Sequence, residues 1–417
     1  MKHSVDPHKL GDLGLPIVDA IQSCVHCGFC LPTCPTYDVL AQEMDSPRGR
    51  IVLMKEVLEG QLDVNDAAHF VDRCLGCLAC ETSCPSGVQY GQLHSAFQTV
   101  VRESRSQNLS AKAHETLVHK TIPFAGRFRL AVGLQKYLRP FRFLMPRTLR
   151  PMFDLIPGQL AAKQHVPIES PATGQRKGRV GLLAGCAQQV LAPEINLSAV
   201  RVLNAVGFDV FTPQSQTCCG ALDWHEGRRK AAQTLARGNL QIFPDDLDVI
   251  ITTTAGCGSA INEYKLLFGN SEFSEAAKRF SDRVVDISSF LDKQELPPMR
   301  MKSHTRVTYH DACHLAHAQG VRSAPRRLLR QIENVELVPL ANADRCCGSA
   351  GTYNLKQPEI AQQLGRQKAQ AIMDTGCAMV ATGNIGCLIQ ILDQLRGTTN
   401  IEAVHTIQIL DQALRSK

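Results

Sequence analysis

The chain has 417 residues, 44% of them hydrophobic and 20% charged, with a formal charge of +6. Those proportions exclude a mostly disordered or fibrous chain and suit two or three globular domains. The excess charge falls in one place, residues 121–157, where seven cations face the single acid Asp154; the remainder is balanced, so no basic face for nucleic acid is expected. The start, MKHSVDPHKLGDLGLP, lacks an apolar leader, and no apolar run reaches roughly 18 residues, so neither a secretory signal nor a spanning helix is expected. Against 1 Trp and 6 Tyr the chain carries 17 Cys. In a chain without an export signal, clustered thiols point to metal rather than disulfides.

In residues 1–120, Cys24, Cys27, Cys30, Cys34 and then Cys74, Cys77, Cys80, Cys84 each read C-x2-C-x2-C-x3-C-P, closed by Pro35 and Pro85. Between the copies, Ser46-Pro47 and RGRIVLMKEVLEG give an N-cap, a first-turn proline, apolar residues at helical spacing and a terminal Gly60. A small helical domain around its cysteines follows. The doubled run is the bacterial ferredoxin ligand pattern, in which the fourth cysteine of each motif serves the other cluster. That assigns Cys24, Cys27, Cys30 and Cys84 to one [4Fe-4S] cluster and Cys74, Cys77, Cys80 and Cys34 to a second. A pair of zinc sites has no use for the x3-C-P arm in duplicate. His26, inside the first motif, reads as a solvated or packing residue.

Residues 121–175 form a basic, aromatic connection. Phe124, Phe128, Phe141, Phe143 and Phe153 alternate with arginines, while Pro140, Pro146 and Pro151 forbid one long helix. Membrane contact and partner docking both suit that composition.

Residues 176–295 and 296–417 read as two copies of one α/β unit. GRVGLLAGC ends at Cys186 and TRVTYHDAC at Cys313; Cys218-Cys219-Gly220 is matched by Cys346-Cys347-Gly348; DVIITTTAGC ends at Cys257 and AMVATGNIGC at Cys387. The offset is nearly constant, which marks a duplication. β-branched runs alternating with helical stretches such as GRRKAAQTLARGNLQIF predict parallel sheets, with the cysteines where strands end and loops begin. IPGQLAAKQHVPIESPATGQRKG and DKQELPPMRMKSHT read as the two linkers. Each set of four cysteines suits either a further cluster or zinc, or metal-free packing thiols. His310, Asp311 and His314 flank Cys313 as ligands, thiol-activating groups or satisfied loop residues. Cys377 stands outside the repeat and reads as an inert buried thiol.

These cysteine sets resemble the Cys-Cys-Gly domains of heterodisulfide reductases and succinate:quinone reductases. With SCVHCGFCLPTCPTY, SPRGRI, RCLGCLACETSCPSGVQYG, CCGA and CCGSAGTYNL, nearly the whole chain resembles the iron-sulfur subunits of bacterial glycolate oxidase. The resemblance implies a two-cluster ferredoxin-type domain ahead of two α/β Cys-Cys-Gly domains. It implies a partner chain carrying FAD that oxidises glycolate to glyoxylate, with D-lactate as a further candidate. It also implies peripheral assembly at the cytoplasmic face of the inner membrane, and a membrane acceptor such as quinone. Because no G-x-G-x-x-G follows a predicted strand, substrate oxidation is expected in the partner, and no catalytic residue is assigned here. The anaerobic glycerol-3-phosphate dehydrogenase subunit has a similar layout, and a thiol or disulfide reductase is the reading from another class. The family pattern ends in C-x2-C, whereas this chain has Thr254 and Asn384 at the first of those positions.

Overall fold

The computed structural model describes residues 1–106, 109–138, 143, 161–397 and 400–416. The N-terminal part is helical. Ser46 caps the helix Pro47–Leu58 by accepting from Gly49 N at 3.0 Å, so the chain enters that helix as SPRG predicts. Helices Gly14–Ser23, Pro47–Leu58 and Tyr90–Val101 turn Ile17, Ile21, Met54, Leu93 and Phe97 into a common interior. That interior continues into the first repeat through Trp224, Tyr264 and Phe268.

The rest of the fold is two sheets. The first contains β1 (Glu169–Ser170), β2 (Gly178–Leu183), β3 (Phe208–Phe211), β4 (Val249–Thr252) and β5 (Val284–Asp286), in the order β1-β3-β2-β4-β5. The second contains β6 (Arg300–His310), β7 (Glu333–Val338), β8 (Met379–Thr382) and β9 (Glu402–His405), in the order β7-β6-β8-β9. All pairings are parallel except β1 with β3, so the two sheets share one topology and the first gains an antiparallel edge. Registers match too: Leu183 pairs with Thr252, and His310 with Thr382, at the last rung of each central pair. Central strands such as β8 are buried along their whole length, which is why they read as continuous apolar runs.

Two sequence expectations need correction here. The linkers are shorter than composition suggested, since Glu169–Ser170 pair as β1 and Arg300–Thr305 already belong to β6. Cys257 and Cys387 lie in the first turns of helices Ala255–Asn262 and Ile385–Leu395 rather than in loops, with Thr254 and Asn384 as the N-cap residues.

The repeats pack through helices Glu194–Val206 and Thr406–Arg415, whose Ile195, Leu203, Ile409 and Leu410 join one core spanning both sheets. Asp411, buried at that seam, accepts from Ser198 Oγ at 2.9 Å and from Arg201. Within the basic connection, helix Ala125–Leu138 buries Phe128 and Val132 against Val190, while Leu130, Leu134 and Tyr137 are exposed. Phe143 is exposed as well; Phe141, Phe153, Pro140, Pro146, Pro151 and Arg139, Arg142, Arg147 and Arg150 lie outside the described residues. Among the described residues, no helix is long and apolar enough to cross a membrane.

Candidate metal centres

The two ferredoxin-type motifs fold back on each other so that their thiols interleave. Cys24 stands near Cys27 and Cys84, and Cys30 near Cys24 and Cys34; Cys77 and Cys80 have Cys74 and Cys34 as neighbours. A cavity of 30 Å³ is bordered by Cys24, Cys27, Cys30 and Cys84, with Cys80 also reaching it. Burial pushes the Cys30 thiol up to about 11 and also raises Cys77 and Cys80 well above the ordinary thiol range. Thiols packed this closely are poor acids alone and good ligands once a cation replaces their protons. The donor chemistry therefore fits iron-sulfur clusters. His26 is exposed with its backbone in the left-handed region at φ 57°, the place Gly76 takes at φ 59° in the second copy. It serves the turn, and its backbone N–H donates to the Cys24 thiol.

The SPRGRI helix contributes what the cysteine pattern does not reveal. Arg50, only 1% exposed, donates to Phe70 O at 2.8 Å, Thr36 Oγ1 at 3.0 Å and the fully buried Asp45 at 3.2 Å, and its Nη1 reaches Cys34 Sγ at 4.0 Å. Burial opposes that charge, but Cys74, Tyr90, Cys34 and Asp45 more than offset the cost and hold the guanidinium charged. Tyr90 adds a hydroxyl donated to Cys74 Sγ at 3.7 Å. In sequence Arg50 looked like an ordinary helix cation; its position one residue before the buried Ile51 was the available signal.

In each repeat all four cysteines come together. Cys186 Sγ lies 3.4 Å from Cys218 Sγ, and Cys219 Sγ 3.2 Å from Cys257 Sγ. In the second repeat Cys346 adjoins Cys313 and Cys347, and Cys347 adjoins Cys387. Cys219 and Cys347 are the thiols held lowest, through hydrogen bonds with Cys218 and Cys257 for the first and with Cys346 and Cys387 for the second. At the position of the missing cysteine, Asn384 donates to Cys387 Sγ at 3.5 Å and accepts from Gly256 N at 3.3 Å, which joins the two repeats. Thr254 turns away to donate to Gln188 Oε1 at 3.0 Å. Cys377 is buried away from both sets, its Sγ 3.9 Å from Thr375 O.

The glycine of each Cys-Cys-Gly is required twice over. Gly220 and Gly348 have φ of 82° and 88°, and a Cβ on them would lie 2.9 Å from Ala232 O and 2.6 Å from Ala361 O, on the helix packed behind. Gly348→Ala is therefore expected to cost about 2–4 kcal/mol. Urea unfolding of the purified chain measures it, and a loss under 1 kcal/mol would contradict the close approach.

A cavity of 540 Å³ lies where these parts meet, bordered by all eight thiols of the two sets, by Cys74 and by His94, His225 and His314. Burial drives His94 down to about 4 and, with His225 beside it, His314 down to about 3, so both rings are neutral. Asp311 instead forms a two-pronged pair with Arg326, both contacts at 2.6 Å.

Beside the cavity, Glu115, His119 and Glu226 stand close enough to grip an ion, but cations of the chain already occupy that role. Arg102 meets Glu115 at 2.6 Å, Lys356 meets Glu226 at 2.7 Å, and Arg228 meets Asp223 at 2.7 Å. His119 lies 3.0 Å from Asp223 and 2.7 Å from Glu226. Burial opposes its charge, yet the two carboxylates outweigh burial and raise its pKa above the ordinary 6.5. A raised pKa contributes stability that is complete below 6.5 and lost as pH rises through the folded-state value. The chain is thus expected to lose stability from about pH 6.5 upward, and His119→Gln to flatten that slope in urea titrations. An unchanged slope would show the ring to be neutral.

This architecture defines a class: an iron-sulfur protein with a dicluster domain ahead of two cysteine-rich domains. Residues 20–88 match the family described as 4Fe-4S dicluster domain, and residues 180–262 and 307–392 each match the Cysteine-rich domain. The probable glycolate oxidase iron-sulfur subunit of Bacillus subtilis is 35% identical over 95% of this chain and 94% of its own length. The glycolate oxidase iron-sulfur subunit of Escherichia coli is 33% identical over 95% of both chains. Lactate utilization protein A of Geobacillus kaustophilus is 30% identical over 56% of this chain and 98% of its own. The chain belongs to the family of glycolate oxidase iron-sulfur subunits.

Proposed function

We propose that this chain is the electron-transfer subunit of a flavin-dependent glycolate-oxidising complex. An FAD-carrying partner converts glycolate to glyoxylate, with D-lactate as a further substrate, and electrons leave this chain toward a membrane acceptor such as quinone. The complex sits peripherally at the cytoplasmic face of the membrane. Cys24, Cys27, Cys30 and Cys84 hold one [4Fe-4S] cluster, Cys74, Cys77, Cys80 and Cys34 the other, and each Cys-Cys-Gly set holds a further metal centre. Clusters of this type, when bound, accept and release single electrons.

The observation that carries this reading is the meeting of the ferredoxin-type thiols with those of the repeats. Cys77 and Cys313 belong to one apolar cluster with Leu75, Cys346 and Tyr353. Cys74 borders the same cavity as both Cys-Cys-Gly sets. Tyr353 spans the junction by donating to Arg73 O at 3.0 Å, and Thr82 meets His317 at 2.8 Å. The chain's own residues thus pack Cys77 of the ferredoxin-type motif against Cys313 and Cys346 of the second repeat within one apolar cluster.

Anaerobic co-purification with the flavoprotein partner, followed by glycolate addition, tests the proposal. Glycolate is expected to reduce the iron-sulfur signals only when the flavoprotein is present. Bleaching by glycerol 3-phosphate and not by glycolate would overturn the substrate assignment. Turnover of a disulfide by this chain alone would move the chemistry into the cavity.

A further inference from the structure

The two repeats are alike in topology but not in what surrounds their thiols. His310, the last residue of β6, is fully buried, and its Nδ1 lies 3.0 Å from Ala343 O. A carbonyl only accepts, so Nδ1 carries the proton and Nε2 presents a lone pair. That Nε2 faces the Cys347 thiol, which the ring helps to hold low, and it lies with Cys347 Sγ and Cys387 Sγ in a group whose atoms are all within 4.8 Å of one another. A backbone carbonyl fixing one ring nitrogen while the other faces thiols is the support that metal-ligating histidines receive.

The corresponding residue in the first repeat is Leu183, at the same last rung of its central strand pair. Among the described residues, no histidine stands in such a group with two thiols of the first set. A second difference lies behind the Cys-Cys-Gly loops, where Ala232 and Ala361 pack on Gly220 and Gly348. Seven residues further along each helix, Asn239 braces its loop through Thr217 and Cys218 O, whereas Lys368 braces the other through Asn342 O and Ala343 O. Lys368 is 4% exposed; burial lowers its pKa, and Cys347, Cys346 and Cys387 oppose that by favouring the ammonium form.

We infer that the second repeat holds an iron-sulfur centre of mixed sulfur and nitrogen ligation, in which His310 Nε2 joins Cys313, Cys346, Cys347 and Cys387. The inference rests on the reading of the Cys-Cys-Gly sets as metal centres. His310 supplies the fifth donor that Asn384 does not. Five donors exceed what one tetrahedral zinc takes, whereas a cluster of several irons can use them all. Replacing thiolate by neutral imidazole, with the Lys368 cation close by, lowers the negative charge on the centre and raises its potential above that of an all-thiolate site. The first repeat has Leu183 and Asn239 in the corresponding places, and His225 stands near Cys219 but in no such group with two thiols of that set among the described residues, so the two centres are unequal.

The full chain, isolated anaerobically as wild type, His310→Ala, His310→Cys and Leu183→Ala, tests this through iron, sulfide and zinc content and pulsed EPR after 15N-histidine labelling. Expected are more than about eight irons in the wild type and one strongly coupled histidine nitrogen. His310→Ala should lose that coupling and the second repeat's iron, His310→Cys should regain the iron without the nitrogen, and Leu183→Ala should keep both. Labelling reads the ligand in the unaltered chain even if a variant fails to fold. About eight irons in the wild type would overturn the cluster reading of the repeats and this inference with it. Extra iron with no coupled nitrogen, equal iron in His310→Ala, or zinc in the site would overturn this inference alone.

Discussion

Arg50→Met is expected to lower the unfolding free energy by about 3–5 kcal/mol, the cost of removing one partner of a buried ion pair. Asp45 is fully buried, and Arg50 is one of two cations that reach it; the other, Arg73, is 21% exposed and contacts the far oxygen at 3.1 Å. The substitution also strips a side-chain donor from Phe70 O and leaves Thr36 short of one partner. Arg50→Lys should recover only part of the loss, because one ammonium cannot span the three directions that the guanidinium fork reaches. Adding Asp45→Asn to Arg50→Met should restore some stability by removing the orphaned charge, a coupling that urea titrations of the four-member cycle can resolve. Arg50 is also the cation beside Cys34 and Cys74. Its loss should make the potential of the centre proposed there more negative, whereas a purely structural arginine would leave it unmoved.

Landmarks spaced along the chain made the duplication legible in sequence. Three cysteine features separated by nearly equal intervals require two copies of one fold, and the sheets agree in the order of their four parallel strands and in their matched last rungs. The SPRG helix start was equally legible, since capping depends on residues within one turn. Less legible were residues whose meaning comes from a partner distant in sequence. Arg50 is defined by Phe70 and Asp45, Tyr353 by Arg73, and Lys368 by a loop 25 residues away. His310 stood out in YHDACH, but only the strand register shows that it faces the thiols while Leu183 occupies its place in the other copy. The linkers were read too long because Arg300–Thr305 is a polar edge of β6, exposed or half-buried apart from Met301 and therefore loop-like in composition.

The crossed ligation proposed for the two ferredoxin-type motifs yields the other large effect. Cys84→Ala is expected to release about four irons, and Cys34→Ala a different four. The proposed assignment predicts which: Cys84 neighbours Cys24, while Cys34 neighbours Cys77 and Cys80 as well as Cys30. Alkylation under non-reducing, anaerobic conditions followed by peptide mass analysis identifies the orphaned ligands directly, because a thiol bound to iron is protected. With Cys84→Ala, label should appear on Cys24, Cys27 and Cys30, with the exposed Cys27 reacting fastest. With Cys34→Ala it should appear on Cys74, Cys77 and Cys80, the buried Cys77 last. Uncrossed ligation would exchange the two patterns, so that Cys84→Ala freed Cys74, Cys77 and Cys80 instead. The Arg50 contact sharpens the contrast: Cys34 is the thiol its guanidinium approaches, so Cys34→Ala should also weaken urea resistance through that network, whereas Cys84→Ala should leave the Arg50 and Asp45 pair intact.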